Sequence, residues 1–185
     1  MSMAMSKTRE LFPLSSKKVL KKTVLGTLVW AILLLFIYGI FAFILLSSAR
    51  GIPDYFWIIT LAIFGLLFLI ILITYLYQQW YYNLYFYDLT PDYVVIKKGP
   101  ITPREITIPY ERIQDVYVDQ DLLDRFFGLY DVHLSSATIS SGMEAHIDGV
   151  EKPAADGLRA MLLQMVSERI SKKSAPVPPQ VQPQV

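Results

Sequence analysis

The chain has 185 residues, of which 54% are hydrophobic, a high share for a soluble protein of this size. It contains no cysteine, which excludes disulfides, thiolate metal sites and thiol catalysis in this sequence. The formal net charge of +1 conceals an asymmetry: the first 22 residues are strongly basic, whereas the stretch 83–173 carries an excess of acidic residues. An acidic domain disfavours nucleic acid as a partner.

The N-terminal segment, residues 1–22, is expected to lie in the cytoplasm. Four lysines stand directly before a long uncharged run, and an excess of basic residues marks the cytoplasmic flank of a membrane span. The predicted determinants of topology are Lys17, Lys18, Lys21 and Lys22.

Two apolar runs predict two antiparallel transmembrane helices, at 23–46 and 55–80. Each has more than 20 residues, and about 20 suffice to cross a hydrocarbon core of about 30 Å. The connection at 47–54 contains Gly51 and Pro53, which favour a tight external loop. We therefore expect a multi-pass protein of the cell membrane with both termini in the cytoplasm.

Aromatic residues stand at both ends of the second run. We expect Trp57 at the outer edge, and Trp80, Tyr81 and Tyr82 at the inner edge, to act as interfacial anchors. The alternative for these aromatics is packing in a protein core. Neither run contains an ionisable Asp, Glu, Lys, Arg or His, which disfavours a transporter or a channel.

Residues 81–173 are predicted to form a cytoplasmic, mainly β domain. The hydrophobic period changes there to the two-residue alternation of strands, and Thr90-Pro91-Asp92 and Gly99-Pro100 mark turns of an antiparallel meander. The predicted strands are Leu84–Leu89, Tyr93–Lys98, Arg104–Pro109, Ile113–Val118, Tyr130–Ser135 and Met143–Ile147.

Two helices are predicted within this domain. A short one lies between Asp121, a suitable N-terminal cap, and Gly128, a residue that can end a helix. A longer one covers Pro153–Ile170, and its apolar stripe, which includes Leu158 and Leu162, should cap the open face of the sheet. The proline-rich residues 174–185 are expected to be disordered.

A series of residues along this domain resembles the bacterial pleckstrin-homology family of YdbS-like membrane proteins. The resemblance implies a pleckstrin-like barrel of two curved antiparallel sheets, closed at one end by the C-terminal helix, with seven strands where the pattern above gives six. It implies no established catalytic activity. The residues that carry it are Leu89-Thr90, Val94-Val95, Lys98-Gly99, Ile106, Ile108-Pro109, Ile113-Gln114-Asp115-Val116, Gln120, Leu122-Leu123, Arg125 and Gly128-Leu129.

The remaining polar residues predict no catalytic, metal or cofactor site. His133 and His146 lie on different predicted strands without metal-ligand spacing, and Ser135, Ser136, Ser140 and Ser141 lack a positioned base. The acidic group Asp115, Asp119, Asp121 and Asp124 lacks the pattern of a calcium loop. Lys97, Lys98 and Arg104 form the one basic cluster that could contact lipid headgroups or a partner, although a solvated loop also explains them.

We therefore expect a non-enzymatic protein whose tethered domain recruits or assembles with protein partners, or with further copies of itself, at the cytoplasmic face of the lipid bilayer. One alternative is a module that binds anionic lipids. Another is an accessory subunit of a transporter or an envelope-stress system.

Overall fold

A computed structural model describes residues 6–47, 52–136 and 145–174. The predicted disordered tail beyond residue 174, the centre of the external loop and any seventh strand at 137–142 lie outside these ranges. The elements in chain order are α1 (Lys7–Leu11), α2 (Lys17–Leu46), α3 (Tyr55–Leu84), β1 (Phe86–Leu89), β2 (Tyr93–Lys98), β3 (Arg104–Pro109), a 3-10 turn (Tyr110–Arg112), β4 (Ile113–Asp119), α4 (Leu122–Phe127), β5 (Leu129–Ser136), β6 (Ala145–Glu151) and α5 (Lys152–Ser174).

Helices α2 and α3 form the predicted hairpin of two long apolar helices. Their most apolar windows have mean hydropathies of 2.8 and 3.0 and are almost wholly unburied, so both are long and apolar enough to cross a membrane. The helices approach closely at Gly26, where an added Cβ would lie 3.3 Å from the Thr74 side chain. Both extend beyond the predicted spans, to Lys17 and Leu84 respectively, and thereby reach the domain.

The domain contains two antiparallel sheets of three strands, ordered β1-β2-β3 and β4-β5-β6. This confirms the predicted meander, with β2 and β3 bounded as expected. Among the described residues, no strand pairing joins the two sheets, so the closed barrel that the resemblance implies is not detected.

Within the described residues, the bounds of β4 and β5 differ from the prediction by one residue at most, and two other strand boundaries differ by more. The predicted strand start at Leu84 is wrong, because α3 continues through that residue and β1 begins at Phe86. The predicted strand end at Ile147 is also wrong, because β6 continues to Glu151 through Gly149, whose φ of 80° is readily adopted only by glycine.

One hydrophobic core lies between the sheets and α5. Leu158 and Leu162 of α5 are fully buried, which confirms that this helix covers the sheets. The core also includes Leu14, which forms an isolated antiparallel bridge with Val150 of β6. The N-terminal segment is therefore packed into the domain that follows the two long helices.

Candidate functional site

The junction between α2 and the domain contains two nearly solvent-free ion pairs. Lys18 Nζ lies 2.6 Å from Asp148 Oδ1, and their side chains are 4% and 10% exposed. Lys21 Nζ lies 2.5 Å from Asp124 Oδ1, with side chains 5% and 1% exposed. Buried charges of this kind are costly unless they are paired, so these contacts specify how α2 sits on the domain.

Two further lysines complete this ionic junction. Lys22 Nζ lies 3.5 Å from Asp148 Oδ2, and Lys17 Nζ lies 3.0 Å from Glu151 Oε1 at the exposed rim. Residues four apart lie on one side of a helix; thus Lys18 and Lys22 share Asp148. All four lysines assigned from sequence to membrane topology therefore bind carboxylates of the domain.

Gly149 allows Lys18 to lie flat on β6. A Cβ atom at Gly149 would lie 2.7–2.9 Å from three carbon atoms of the Lys18 side chain. Beyond this contact, Lys18 Nζ lies 3.8 Å from the centroid of the Tyr85 ring, within cation-π range. The glycine is thus required by both its backbone conformation and the approach of the lysine.

Two neighbouring carboxylates, Asp148 in the junction and Asp131 on β5, have pKa values shifted in opposite directions. Burial alone would raise the pKa of Asp148, but the charges of Lys18 and Lys22 lower it well below its usual value. Burial raises the pKa of Asp131 to about 6, and the negative charge of Asp148 adds to this shift. Asp131 Oδ1 accepts a 2.7 Å hydrogen bond from the Gly149 N–H.

Polar contacts from the N-terminal segment reinforce the junction. The hydroxyl of Tyr82 donates to the Leu14 carbonyl at 2.9 Å, and the hydroxyl of Tyr87 donates to the Phe12 carbonyl. The Thr8 hydroxyl donates to Asp88 Oδ1 at 2.8 Å. These bonds join residues more than sixty positions apart and tie the segment before α2 to the end of α3 and to β1.

The basic cluster suggested by the sequence divides into two parts. Lys97 pairs with Glu105 on the neighbouring strand, at 3.1 Å. Lys98 and Arg104 are register partners at the turn end of the β2–β3 hairpin, and within the described ranges neither has an ion-pair partner. Alternation along a strand places Lys97 and Lys98 on opposite faces.

The aromatic residues proposed as interfacial anchors occupy two environments. Trp57 and Trp80 are 67% and 50% exposed on the surface of α3. Tyr81 and Tyr82 are partly buried and pack against the core of the domain.

The two histidines lie side by side on the second sheet. The His133 ring stacks between Tyr117 and His146, with centroid distances of 4.9 and 5.4 Å. Asp119, Asp131 and His133 bring ligand atoms within 4.8 Å of one another. His133 Nε2 lies 3.1 Å from Asp119 Oδ1, and Asp131 is hydrogen-bonded to Gly149, so these groups have protein partners.

The acidic half of the junction was missed by sequence reasoning. Asp148 lies beyond the predicted end of its strand, and Asp124 lies on a helix where solvent exposure is the usual expectation for an acid. A usable signal was the pairing of lysines one turn apart at the start of α2. Nothing local identifies their partners, which are at least 100 residues away.

A family model described as bacterial PH domain matches residues 19–166. This range includes most of α2, all of α3, the six strands and most of α5. No curated protein and no solved structure matches significantly.

Proposed function

This chain belongs to the bacterial PH domain family, and from that premise we propose that it is a non-catalytic membrane protein whose domain assembles with a protein partner at the cytoplasmic face. The family is named for a fold, and a fold alone does not define an activity. The proposal therefore depends on a surface of this chain, the exposed face of α4.

Helix α4 presents two large apolar side chains to solvent. Leu122 is 84% exposed and Phe126 is 83% exposed, although both belong to the folded domain. They are four residues apart, which places them on one side of the helix. The opposite side carries Asp124, which is buried against Lys21. The α4 face, Leu122 and Phe126, is thus a rigidly held apolar surface of the kind used in protein interfaces.

The charges around the α4 face favour a protein over anionic lipid. Asp121, which caps α4 by accepting from the Asp124 N–H, has a side chain that is 60% exposed, and that of Asp119 is 57% exposed. Arg125 is the single base on the helix. Negative side chains at the rim repel anionic headgroups, whereas a protein partner can supply matching cations.

The junction supports a role for the helices beyond anchoring. Because Lys21 binds both Asp121 and Asp124, the start of α2 holds α4 in place. A partner that contacts the α4 face is therefore coupled, through α4, to the start of α2. The basic excess before residue 23 supports a cytoplasmic location for both termini.

Site-specific photo-crosslinking in cells tests this proposal. A photoreactive phenylalanine analogue placed at Phe126 of the full chain should yield a protein adduct. The same analogue at Leu163, which is 46% exposed on α5, is the matched control. A Leu122→Ala change should weaken the adduct at position 126.

The mass of the adduct separates the alternatives. A band of twice the chain mass indicates self-assembly, and another discrete protein mass indicates a dedicated partner; both support the proposal. Equal labelling at positions 126 and 163, or an adduct of phospholipid mass at 126, would overturn it.

A further inference from the structure

The β2–β3 hairpin points back towards the apolar helices. Strand β1 begins at Phe86, two residues after the end of α3, and Phe86 pairs with Lys97. Because β1 leads away from α3, the antiparallel β2 returns towards it, and α3 and β2 are in contact. Lys97 lies opposite Phe86, so the residues after Lys98 extend past the start of β1. The hairpin tip, residues 99–103, therefore lies beside the last turns of α3.

The tip is rigid and exposes one apolar side chain. Gly99 has a φ of 100°, and a Cβ there would lie 2.5 Å from the Thr102 carbonyl oxygen, so the turn is tight. Pro100 and Pro103 further restrict the backbone. Within this frame Ile101 is 72% exposed. On the last turns of the adjacent α3, Trp80 is 50% exposed, and tryptophan favours headgroup depth in a bilayer.

Two cations stand at the base of the tip. Lys98 and Arg104 are register partners where the turn begins and ends, and neither has an ion-pair partner among the described residues. Burial lowers the pKa of Lys98; the charges of Asp148 and Asp131 oppose this shift, and those of Lys22 and Arg104 add to it. Asp148 is itself paired with Lys18 at 2.6 Å and with Lys22 at 3.5 Å, so its charge is already shared between two lysines.

We propose that the hairpin tip docks on the bilayer that α2 and α3 cross, with Ile101 entering the boundary between headgroups and acyl chains and with Lys98 and Arg104 on anionic headgroups. An apolar residue flanked by bases matches this boundary, where apolar burial and attraction to anionic lipids act together. Weak contacts suffice because the helices already hold the tip at the membrane surface. The α4 face, with acidic neighbours, has the opposite charge character.

Depth-dependent quenching in the full chain tests the docking. Since the chain has no cysteine, single Ile101→Cys and Ser167→Cys variants can each carry an environment-sensitive nitrobenzoxadiazole probe in nanodiscs. Ser167 is exposed on α5. It lies two positions before Arg169, which pairs with Asp92 at the opposite end of the β1–β2 hairpin.

We expect lipids that carry a nitroxide near the glycerol end of the acyl chain to quench the probe at position 101 several-fold more than the probe at position 167. Nanodiscs of phosphatidylcholine with phosphatidylglycerol should show the largest difference. Quenching at position 101 that does not exceed quenching at position 167 would overturn the proposal.

A second set of variants tests the contacts of the charged residues with the headgroups. Neutralising Lys98→Gln and Arg104→Gln together should reduce quenching at position 101 in discs that contain phosphatidylglycerol. Lys97→Gln is the matched control, because Lys97 is already paired with Glu105. Unchanged quenching in the double variant would contradict the assignment of these bases to anionic headgroups.

Discussion

The Nζ atom of Lys18 lies 2.6 Å from Oδ1 of Asp148, in a contact that is almost closed to solvent. Removing one member of such a pair leaves an uncompensated buried charge, at a typical cost of about 3–5 kcal/mol. We expect Lys18→Met to lower the midpoint of thermal unfolding in mild detergent by more than about 10 °C.

Lys17→Met is the control for this change. The pair between Lys17 and Glu151 is about half exposed on both sides, so solvent screens it and its removal should leave the unfolding midpoint nearly unchanged. The double variant Lys18→Met with Asp148→Leu should recover much of the loss, since no buried charge is then left unpaired. Equal unfolding midpoints for the two single lysine variants would contradict the buried pair.

Asp131 predicts a pH dependence of stability. In the folded chain its pKa is raised to about 6, from a usual value of 3.8, by burial and then by the charge of Asp148. The folded state thus binds the proton more tightly. The stability from this group is complete below pH 3.8 and is lost as the pH rises through about 6.

Asp131→Asn removes that charge and keeps an oxygen that can accept from the Gly149 N–H. We expect the variant to be more stable than the parent by about 1 kcal/mol at neutral pH, with an advantage that shrinks as the pH falls below about 6. Thermal unfolding across this range measures the effect, and Asp115→Asn, at an exposed position on β4, is the control. A variant less stable than the parent at neutral pH would show that the charge is stabilising.

Elements with strong local signals were predictable from the sequence. Strand β2 and strand β3 have the predicted bounds, and α4 lies between the predicted cap Asp121 and the left-handed Gly128. Alternation, turn residues and caps act within a few positions, so a single sequence contains them.

Contacts between distant parts of the chain were not predictable in this way. Helix α1 binds β1, about eighty residues away, through Ser6 and Thr8. The ionic junction depends on Asp148, which lies in β6. The strand extends past its predicted end at Ile147 because Gly149 adopts a positive φ. The four lysines can be read from the sequence, but whether they are buried depends on contacts with residues far along the chain.

The burial of Leu14 predicts that the N-terminal segment stabilises the domain. Its side chain is 4% exposed in the core, and replacing a buried leucine by alanine typically costs about 2–5 kcal/mol. Leu11, three positions earlier, is 66% exposed. We expect Leu14→Ala to lower the unfolding midpoint clearly and Leu11→Ala to leave it nearly unchanged, as measured by thermal unfolding in detergent. Similar midpoints for both variants would show that the segment does not contribute to the core.

Membrane topology can be tested with single cysteines in intact cells. The basic excess before residue 23 favours a cytoplasmic N-terminus, and two crossings return α5 to the same side. Ile52, which is 52% exposed before α3, should then face outward, whereas the exposed Ser167 should face the cytoplasm. We expect a membrane-impermeant maleimide to label Ile52→Cys and to spare Ser167→Cys.

Permeabilised cells provide the control, because both cysteines should react once the membrane is open. The lysines at the start of α2 are paired with carboxylates in the folded chain. These carboxylates follow α3 in the sequence, so both helices are synthesised before the pairs can form. Their positive charge is therefore available when orientation is decided. Labelling of Ser167→Cys but not Ile52→Cys in intact cells would reverse the orientation and place the domain, with the α4 face and the hairpin tip, outside.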